Sequence, residues 1–195
     1  MRATNKVIRI DDLIDVARMQ GSAFDASVYR TGISDTNTIR TVMVNNGTKP
    51  VILYSRLVNY TGDGVVARIY RDPDIATLGD PLDIVRNPSD INPTPEVTAF
   101  YSDFTLNGNN SGQETRSPDY SFANPTGAGG GAPGQLLPTP QIMAPGQTYL
   151  FEIAGRTANV QVVAAKLSWV ELEGLPGFEF DAVGNFVSYR GVSLK

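Results

Sequence analysis

The sequence predicts an all-β protein: an antiparallel β-sandwich or jelly roll, with an N-terminal helix or arm and a C-terminal β-hairpin extension. Between residues 27 and 173, about seven or eight segments rich in β-branched and aromatic residues are separated by turn signals. Only one segment has helical periodicity, and two long stretches are too rich in proline or glycine for helices or central strands. We therefore divide the chain into an arm (1–26), a sandwich domain (27–173) and an extension (174–195).

The one segment with helical periodicity lies near the N-terminus, in residues 7–19. Gly21 follows it and is a typical helix stop. This helix would either pack on its own domain or act as an arm that docks onto a neighbouring subunit. Four apolar residues at positions i, i+3, i+4 and i+7 would form its single apolar face: Ile10, Leu13, Ile14 and Ala17.

Three strands are predicted in the first part of the sandwich, at residues 38–45, 51–59 and 65–71. Clusters of Asn, Gly and Thr separate them, so we expect short turns and an antiparallel meander. Residues 72–95 then contain five of the 13 prolines. We expect this stretch to be a long crossover loop of the kind that Greek-key topologies need.

The second part of the sandwich begins with a predicted strand at residues 96–106. Residues 107–147 contain eight of the 19 glycines and six prolines, which predicts a long surface loop that carries contacts. Two alternating segments, 148–154 and 160–172, then form the clearest hairpin pattern in the chain. Trp169, the only tryptophan, is expected to anchor the core.

The C-terminal extension has the pattern of a two-stranded hairpin. Its turn, Gly184-Asn185, has glycine first and fits type II′. Because a lone hairpin is only marginally stable in water, this one must pack on its own sandwich or on a partner. The predicted strands are aromatic for their length, with four such residues: Phe178, Phe180, Phe186 and Tyr189.

The composition argues against several classes of function. The chain has no Cys and no His, which removes disulfides, thiolate chemistry, the Ser–His triad and the usual zinc ligands. Its net charge is −4, and its basic residues are scattered instead of forming a stripe for nucleic acid. No apolar run approaches the roughly 20 residues of a membrane span, and the first residues lack the pattern of a secretory signal. We therefore expect no enzyme, no cofactor, and neither nucleic acid nor membrane as a partner.

Three further features have a bland interpretation that we prefer. The run GAGGGAPG (127–134) lacks the Lys-Ser/Thr ending of a phosphate-binding loop. The acidic residues of the proline-rich stretch do not have the spacing of an EF-hand, and we expect solvated carboxylates: Asp72, Asp74, Asp80 and Asp83. Aromatic residues near the long loop could stack on sugars, but packing in the core or an interface is the commoner role: Tyr101, Phe104, Tyr120 and Phe122.

The order of these segments resembles a family of proteins. Residues 30–75 read RTGISDTNTIRTVMVNNGTKPVILYSRLVNYTGDGVVARIYRDPDI, with a "TG" strand, a "GTKP" turn, a glycine-rich turn and a short acidic ending. After EVTAFYSDFTLNG and a glycine-rich loop comes MAPGQTYLFEIAGRTANVQVVAAKLSWVEL, in which Pro145, Tyr149, Leu150, Trp169 and Glu171 occupy the family's positions. Over about residues 28–172, the chain resembles tailed-bacteriophage virion structural proteins of the jelly-roll decoration (cement) type.

The resemblance implies a jelly-roll domain that assembles, often as a homotrimer, on the outer surface of the phage head and clamps neighbouring capsid subunits. The implied partners are the major capsid protein, further copies of this chain and a second decoration protein, and the implied location is the virion after synthesis in the host cytoplasm. The alternative is a tail or fibre protein that contacts the host surface. Both ends extend beyond the family pattern and supply the candidate interface residues: Ile10, Leu13, Ile14, Ala17, Phe178, Phe180, Phe186 and Tyr189.

Overall fold

A computed structural model describes residues 10–86, 98–115, 118–122, 134–135, 140–172, 178–180 and 186–189. Over these residues the protein is almost entirely β-structure in antiparallel sheets, with one α-helix, which confirms the predicted all-β sandwich class. The helix, α1, spans Ile10–Met19 and ends close to the predicted stop. Gly21 adopts a φ of 73°, and the backbone N–H of Ser22 donates to the carbonyl oxygen of Ala17 at 2.8 Å, which closes the C-terminus of the helix.

The strands of the described residues are, in chain order, β1 (Ala23–Ile33), β2 (Ile39–Asn45), β3 (Val51–Tyr60), β4 (Gly64–Arg71), β5 (Ile75–Thr77), β6 (Asp80–Pro81), β7 (Ile84–Arg86), β8 (Thr98–Ser102), β9 (Thr105–Leu106), β10 (Gln113–Glu114), β11 (Asp119–Phe122), β12 (Gly134–Gln135), β13 (Gln141–Met143), β14 (Thr148–Gly155), β15 (Gln161–Glu171), β16 (Phe178–Phe180) and β17 (Phe186–Tyr189). The first sheet, sheet A, has the order β12-β3-β15-β1-β7, and β13 also pairs with β3. The second, sheet B, has the order β10-β4-β14-β2-β8-β6, and β11 also pairs with β4. Two small pairs, β5 with β9 and β16 with β17, lie outside these sheets.

The predicted meander and the predicted central hairpin are both wrong. Strands β2 and β4 lie in sheet B, whereas β3 between them lies in sheet A. Likewise β14 pairs with β2 and β4, whereas β15 pairs with β1 and β3. Each of these short turns therefore crosses from one sheet to the other. Alternation of apolar and polar residues shows which face of a strand is buried, but it is the same whether a turn stays in one sheet or bridges two.

The two stretches expected to be loops are partly strand. Residues 72–95 contain β5, β6 and β7, and residues 107–147 contain β10 to β13. These strands have two to four residues each, and most of them lie at the edges of the two sheets. A short edge strand tolerates proline, as Pro81 in β6 illustrates, because its outer N–H groups need no partner in the sheet. The predicted strand at 96–106 is broken in two at Asp103, whose φ is 54°.

Strand β1 begins at Ala23, so the sandwich starts within the segment assigned to the arm. Its first residues lie in the centre of the core. Phe24 stacks on Trp169 with ring centroids 6.1 Å apart, and Phe100 of sheet B approaches the same indole at 6.3 Å. Trp169 is fully buried, which confirms its predicted role as the anchor of the core.

Two buried charged side chains link the sheets. Glu171 of β15 accepts the backbone N–H of Thr98 in β8 at 3.1 Å. The guanidinium of Arg56 in β3 donates to the carbonyl oxygens of Arg68 and Glu152 in sheet B, at 3.3 and 3.4 Å. Because these bonds run between layers, they fix how one sheet lies on the other, which apolar packing alone leaves less specific.

Candidate interaction surfaces

The helix packs on its own domain, the first of the two alternatives for this segment. Ile14 and Ala17 are buried on the outer face of sheet A, where they join a small apolar cluster with Ala23, Ile52, Val170 and Leu172. Neither side chain is open to a partner while the helix is docked, so we do not propose them as contacts. Ile10 and Leu13 belong to the same helix, but their side chains lie outside the described part of the structure.

The C-terminal segment contains the expected antiparallel pair of strands. Phe178 lies opposite Tyr189, and Phe180 lies opposite Phe186, with an irregularity in register between the two pairs. The predicted Gly184-Asn185 turn and the side chains of these strands lie outside the described residues. A role for the four aromatic residues in an interface therefore stays a prediction.

One end of the sandwich carries three loops that the structure joins together. We call this surface the loop end and define it as residues 34–38, 61–63 and 156–160, which connect β1 to β2, β3 to β4 and β14 to β15. The backbone N–H of Asp35 donates to the carbonyl oxygen of Thr157 at 3.0 Å. Beside it, the N–H of Gly155 donates to the carbonyl oxygen of Ser34 at 2.9 Å. These bonds tie the first loop to the third.

Asp63 ties the second loop to the third. Its Oδ2 accepts the Thr157 hydroxyl at 2.8 Å and the Asn159 side-chain amide at 2.9 Å. These two hydrogen bonds, in that order reversed by size with Asn159 the larger, lower the pKa of the Asp63 carboxyl below its ordinary value. Gln161, at the start of β15, adds two bonds: its Oε1 accepts the N–H of Gly62, and its Nε2 donates to the carbonyl oxygen of Gly64.

The loop end is exposed although it is well connected. Most of its residues are open to solvent, and Val160 is 74% exposed at its rim. Loops held by their own hydrogen bonds lose little conformational entropy when they bind, which lowers the cost of association. The loop end therefore has the properties of a contact surface for another macromolecule.

A second group of charges, on the outer face of sheet B, is already paired. Glu152 of β14 lies between Arg40 of β2 and Arg68 of β4, with N–O distances of 2.9 and 3.3 Å. Burial, and secondarily the charge of Glu152, raise the pKa of nearby Tyr70. A carboxylate held between two guanidinium groups stabilises the sheet and is poorly suited to accept a proton from a substrate.

A third surface is a groove between edge strands of the two sheets, which we call the polar groove. Its lining comes from β10, β13 and the neighbouring parts of β4 and β14, and comprises Arg71, Gln113, Glu114, Thr115, Gln141, Ile142 and Tyr149. The Tyr149 hydroxyl donates to the carbonyl oxygen of Ile142 at 3.0 Å, and burial raises the pKa of that hydroxyl. Arg71 donates to Gln113 Oε1 at 2.7 Å.

The described residues hold no group of three or more His, Cys, Asp or Glu side chains that could bind a metal ion. In the acidic loop, Asp74 Oδ1 accepts the side-chain amide of Asn107 at 2.8 Å instead. Within the same part of the chain, no helix is long and apolar enough to cross a bilayer.

Sequence reasoning missed both the loop end and the polar groove. The residues of the loop end are Ser, Thr, Asn, Asp and Gly, which mark turns. Such residues do not show that three turns meet at one end of a sandwich. The polar groove lies within stretches that were expected to be loops without strands.

Comparison with known proteins returned no match to a family model, to a curated protein or to a solved structure.

Proposed function

We propose that this chain is a phage capsid decoration (cement) protein that binds the outer surface of the head and stabilises contacts between major capsid subunits. The proposal rests on the resemblance of residues 28–172 to that family. The structural observation that carries it is the loop end, where three exposed loops are held in one fixed arrangement on a β-sandwich frame. A rigid surface of this kind suits a protein whose work is to hold neighbouring subunits together.

The strand order supports the finer assignment to a jelly roll. In sheet A, β1, β15, β3 and the pair β12/β13 lie side by side, and in sheet B the neighbours are β2, β14, β4 and the pair β10/β11. A chain that alternates between two sheets in this order traces the two Greek keys of a jelly roll. The remaining strands β7, β8 and β6 then extend the two sheets at the edge beside β1 and β2.

The proposed mechanism is multivalent clamping. Several modest contacts on neighbouring capsid subunits become strong when one rigid oligomer, of which a homotrimer is the favoured form, carries them all. The loop end of each copy would supply one contact, and the C-terminal strand pair another. A capsid subunit could then leave the shell only by breaking several interfaces together.

The copy number of this chain per particle tests the proposal. Purified virions of the virus that encodes the chain would be analysed by quantitative mass spectrometry against the major capsid protein. A ratio of one to one, or of one to a small integer, is expected for a protein on the head lattice. A count that corresponds to a single ring would favour the tail or fibre alternative, and absence from the virion would overturn both.

A further inference from the structure

The polar groove contains a buried acceptor that has no donor. The side-chain oxygen Oε1 of Gln141 is inaccessible to solvent and accepts no hydrogen bond in the structure. The amide nitrogen of the same side chain approaches the Thr115 hydroxyl at 3.5 Å, which orients the group. A buried carbonyl oxygen without a donor lowers the stability of the free protein, so a donor from outside would find a favourable site here.

The other polar groups of the polar groove are already paired. The Arg71 guanidinium donates to Gln113 and lies 3.3 Å from the carboxylate of Asp72. The Tyr149 hydroxyl is used by the carbonyl oxygen of Ile142. The groove therefore offers one open acceptor and little net positive charge, which suits a neutral donor and does not suit an anion.

The walls of the polar groove indicate the shape of the occupant. Strand β10 pairs with β4, and β13 pairs with β3, so the groove runs between two edge strands that belong to different sheets. Ile142 in β13 is 47% exposed and gives this surface an apolar contact. An extended peptide meets these requirements, because it carries a neutral N–H donor at alternate positions along one side and apolar side chains beside it.

We propose that the polar groove binds an extended peptide segment of a partner protein, with a main-chain N–H of that segment donated to Gln141 Oε1. The proposal goes beyond the decoration function and does not depend on it. It would apply equally to a segment of a capsid protein and to a segment of a tail protein.

A library of short random peptides, selected against the full-length chain, provides the test. Synthetic peptides from the selection would be titrated calorimetrically against the wild type, Gln141→Leu and the matched control Gln20→Leu, which makes the same exchange at an exposed position on the other side of the sandwich. We expect Gln141→Leu to weaken binding about tenfold and Gln20→Leu to leave it unchanged. Peptides whose affinity is the same for all three proteins would overturn the proposal.

Backbone N-methylation identifies the donor. Methylation of one amide at a time removes a single N–H without changing any side chain of the peptide. One position should lose about tenfold in affinity for the wild type and nothing further for Gln141→Leu, since the acceptor is already absent there. The melting temperature of free Gln141→Leu gives an independent check. It should equal or exceed that of the wild type, and a fall of several degrees would mean that the oxygen serves the fold itself.

Discussion

The indole N–H of Trp169 donates to the buried carboxylate of Glu171 at 3.3 Å. The same oxygen of Glu171 also accepts the backbone N–H of Thr98, so one side chain of sheet A joins the central tryptophan to a strand of sheet B. The sandwich is thus held at this point by a charge-assisted link inside an otherwise apolar core.

Replacement of Glu171 by Leu is expected to lower the free energy of unfolding by about 2–4 kcal/mol, because it leaves two buried N–H groups without an acceptor. Glu171→Gln should cost less, since its amide oxygen can still accept. Urea denaturation followed by tryptophan fluorescence measures both. Glu114→Gln, at an exposed edge position, is the control and should change stability by less than about 0.5 kcal/mol. Equal stabilities for the Glu171 and Glu114 variants would contradict the assigned role.

The loop end should loosen in acid. Hydrogen bonds from Asn159 and Thr157 lower the pKa of Asp63 in the folded protein, so the unfolded chain binds a proton at this carboxyl more readily than the folded chain does. The contribution of Asp63 is therefore complete above the ordinary aspartate pKa, about 3.9, and is lost as the pH falls through the lower folded value. An NMR titration of the Asp63 carboxyl carbon gives that value directly. A midpoint at or above the ordinary one would refute the assignment, and Asp63→Asn should abolish this part of the acid response.

Gly155 allows two loops to approach each other closely. A Cβ at this position would lie 2.8 Å from the Cα of Ser34, a backbone atom that cannot give way cheaply. We expect Gly155→Ala to reduce stability by about 1–3 kcal/mol and to speed hydrogen exchange of the Asp35 amide, which is bonded across the same junction. Gly108→Ala is the comparison, since Gly108 has a φ of 57° but no atom within 4 Å of the added group. It should lose stability through local strain alone and leave the exchange of Asp35 unchanged.

A pair of exposed valines tests the contact surface of the proposed decoration protein. Val160 lies at the rim of the loop end and is 74% exposed, whereas Val85 lies on the edge strand β7 and is 60% exposed. Val160→Arg should weaken binding to particles that lack the protein by about tenfold or more, because a charge would be desolvated in the interface. Val85→Arg should bind as the wild type does, and both variants should melt like it. Particle binding would be measured by co-sedimentation. A selective loss for Val85→Arg would move the contact to the edge of sheet A.

The helix is expected to stabilise the sandwich on which it packs. Ile14→Ala should cost about 2–4 kcal/mol, because the isoleucine side chain is buried against Ile52 and Val170. Met19→Ala, at a position that is 71% exposed at the end of the same helix, should cost less than about 0.5 kcal/mol. Thermal unfolding of the two variants separates these outcomes. If both were neutral, the docking of the helix would contribute nothing to stability.

Local patterns were sufficient for part of this structure. The spacing of Ile14 and Ala17 predicted the helix and its buried face, and β-branched segments predicted the long strands with small errors at their ends. The role of Trp169 was also predictable, since a lone large aromatic residue in an alternating segment has few places other than the core. These features depend on residues that are close in sequence, and the period of the side chains reports them directly.

The assembly of the strands was not predictable from those patterns. The same alternating segments would fit a meander, and only the tertiary structure shows that β2, β3 and β4 change sheet at every turn. The loop end and the polar groove depend on this crossing, because residues as far apart as Asp63 and Asn159, or Arg71 and Gln141, meet only when the two sheets close on each other. The sequence by itself thus determined which residues are strand, helix and core in this protein. The tertiary structure decided which strands are neighbours and which polar groups meet, since pairing energies between distant segments have no counterpart in local periodicity.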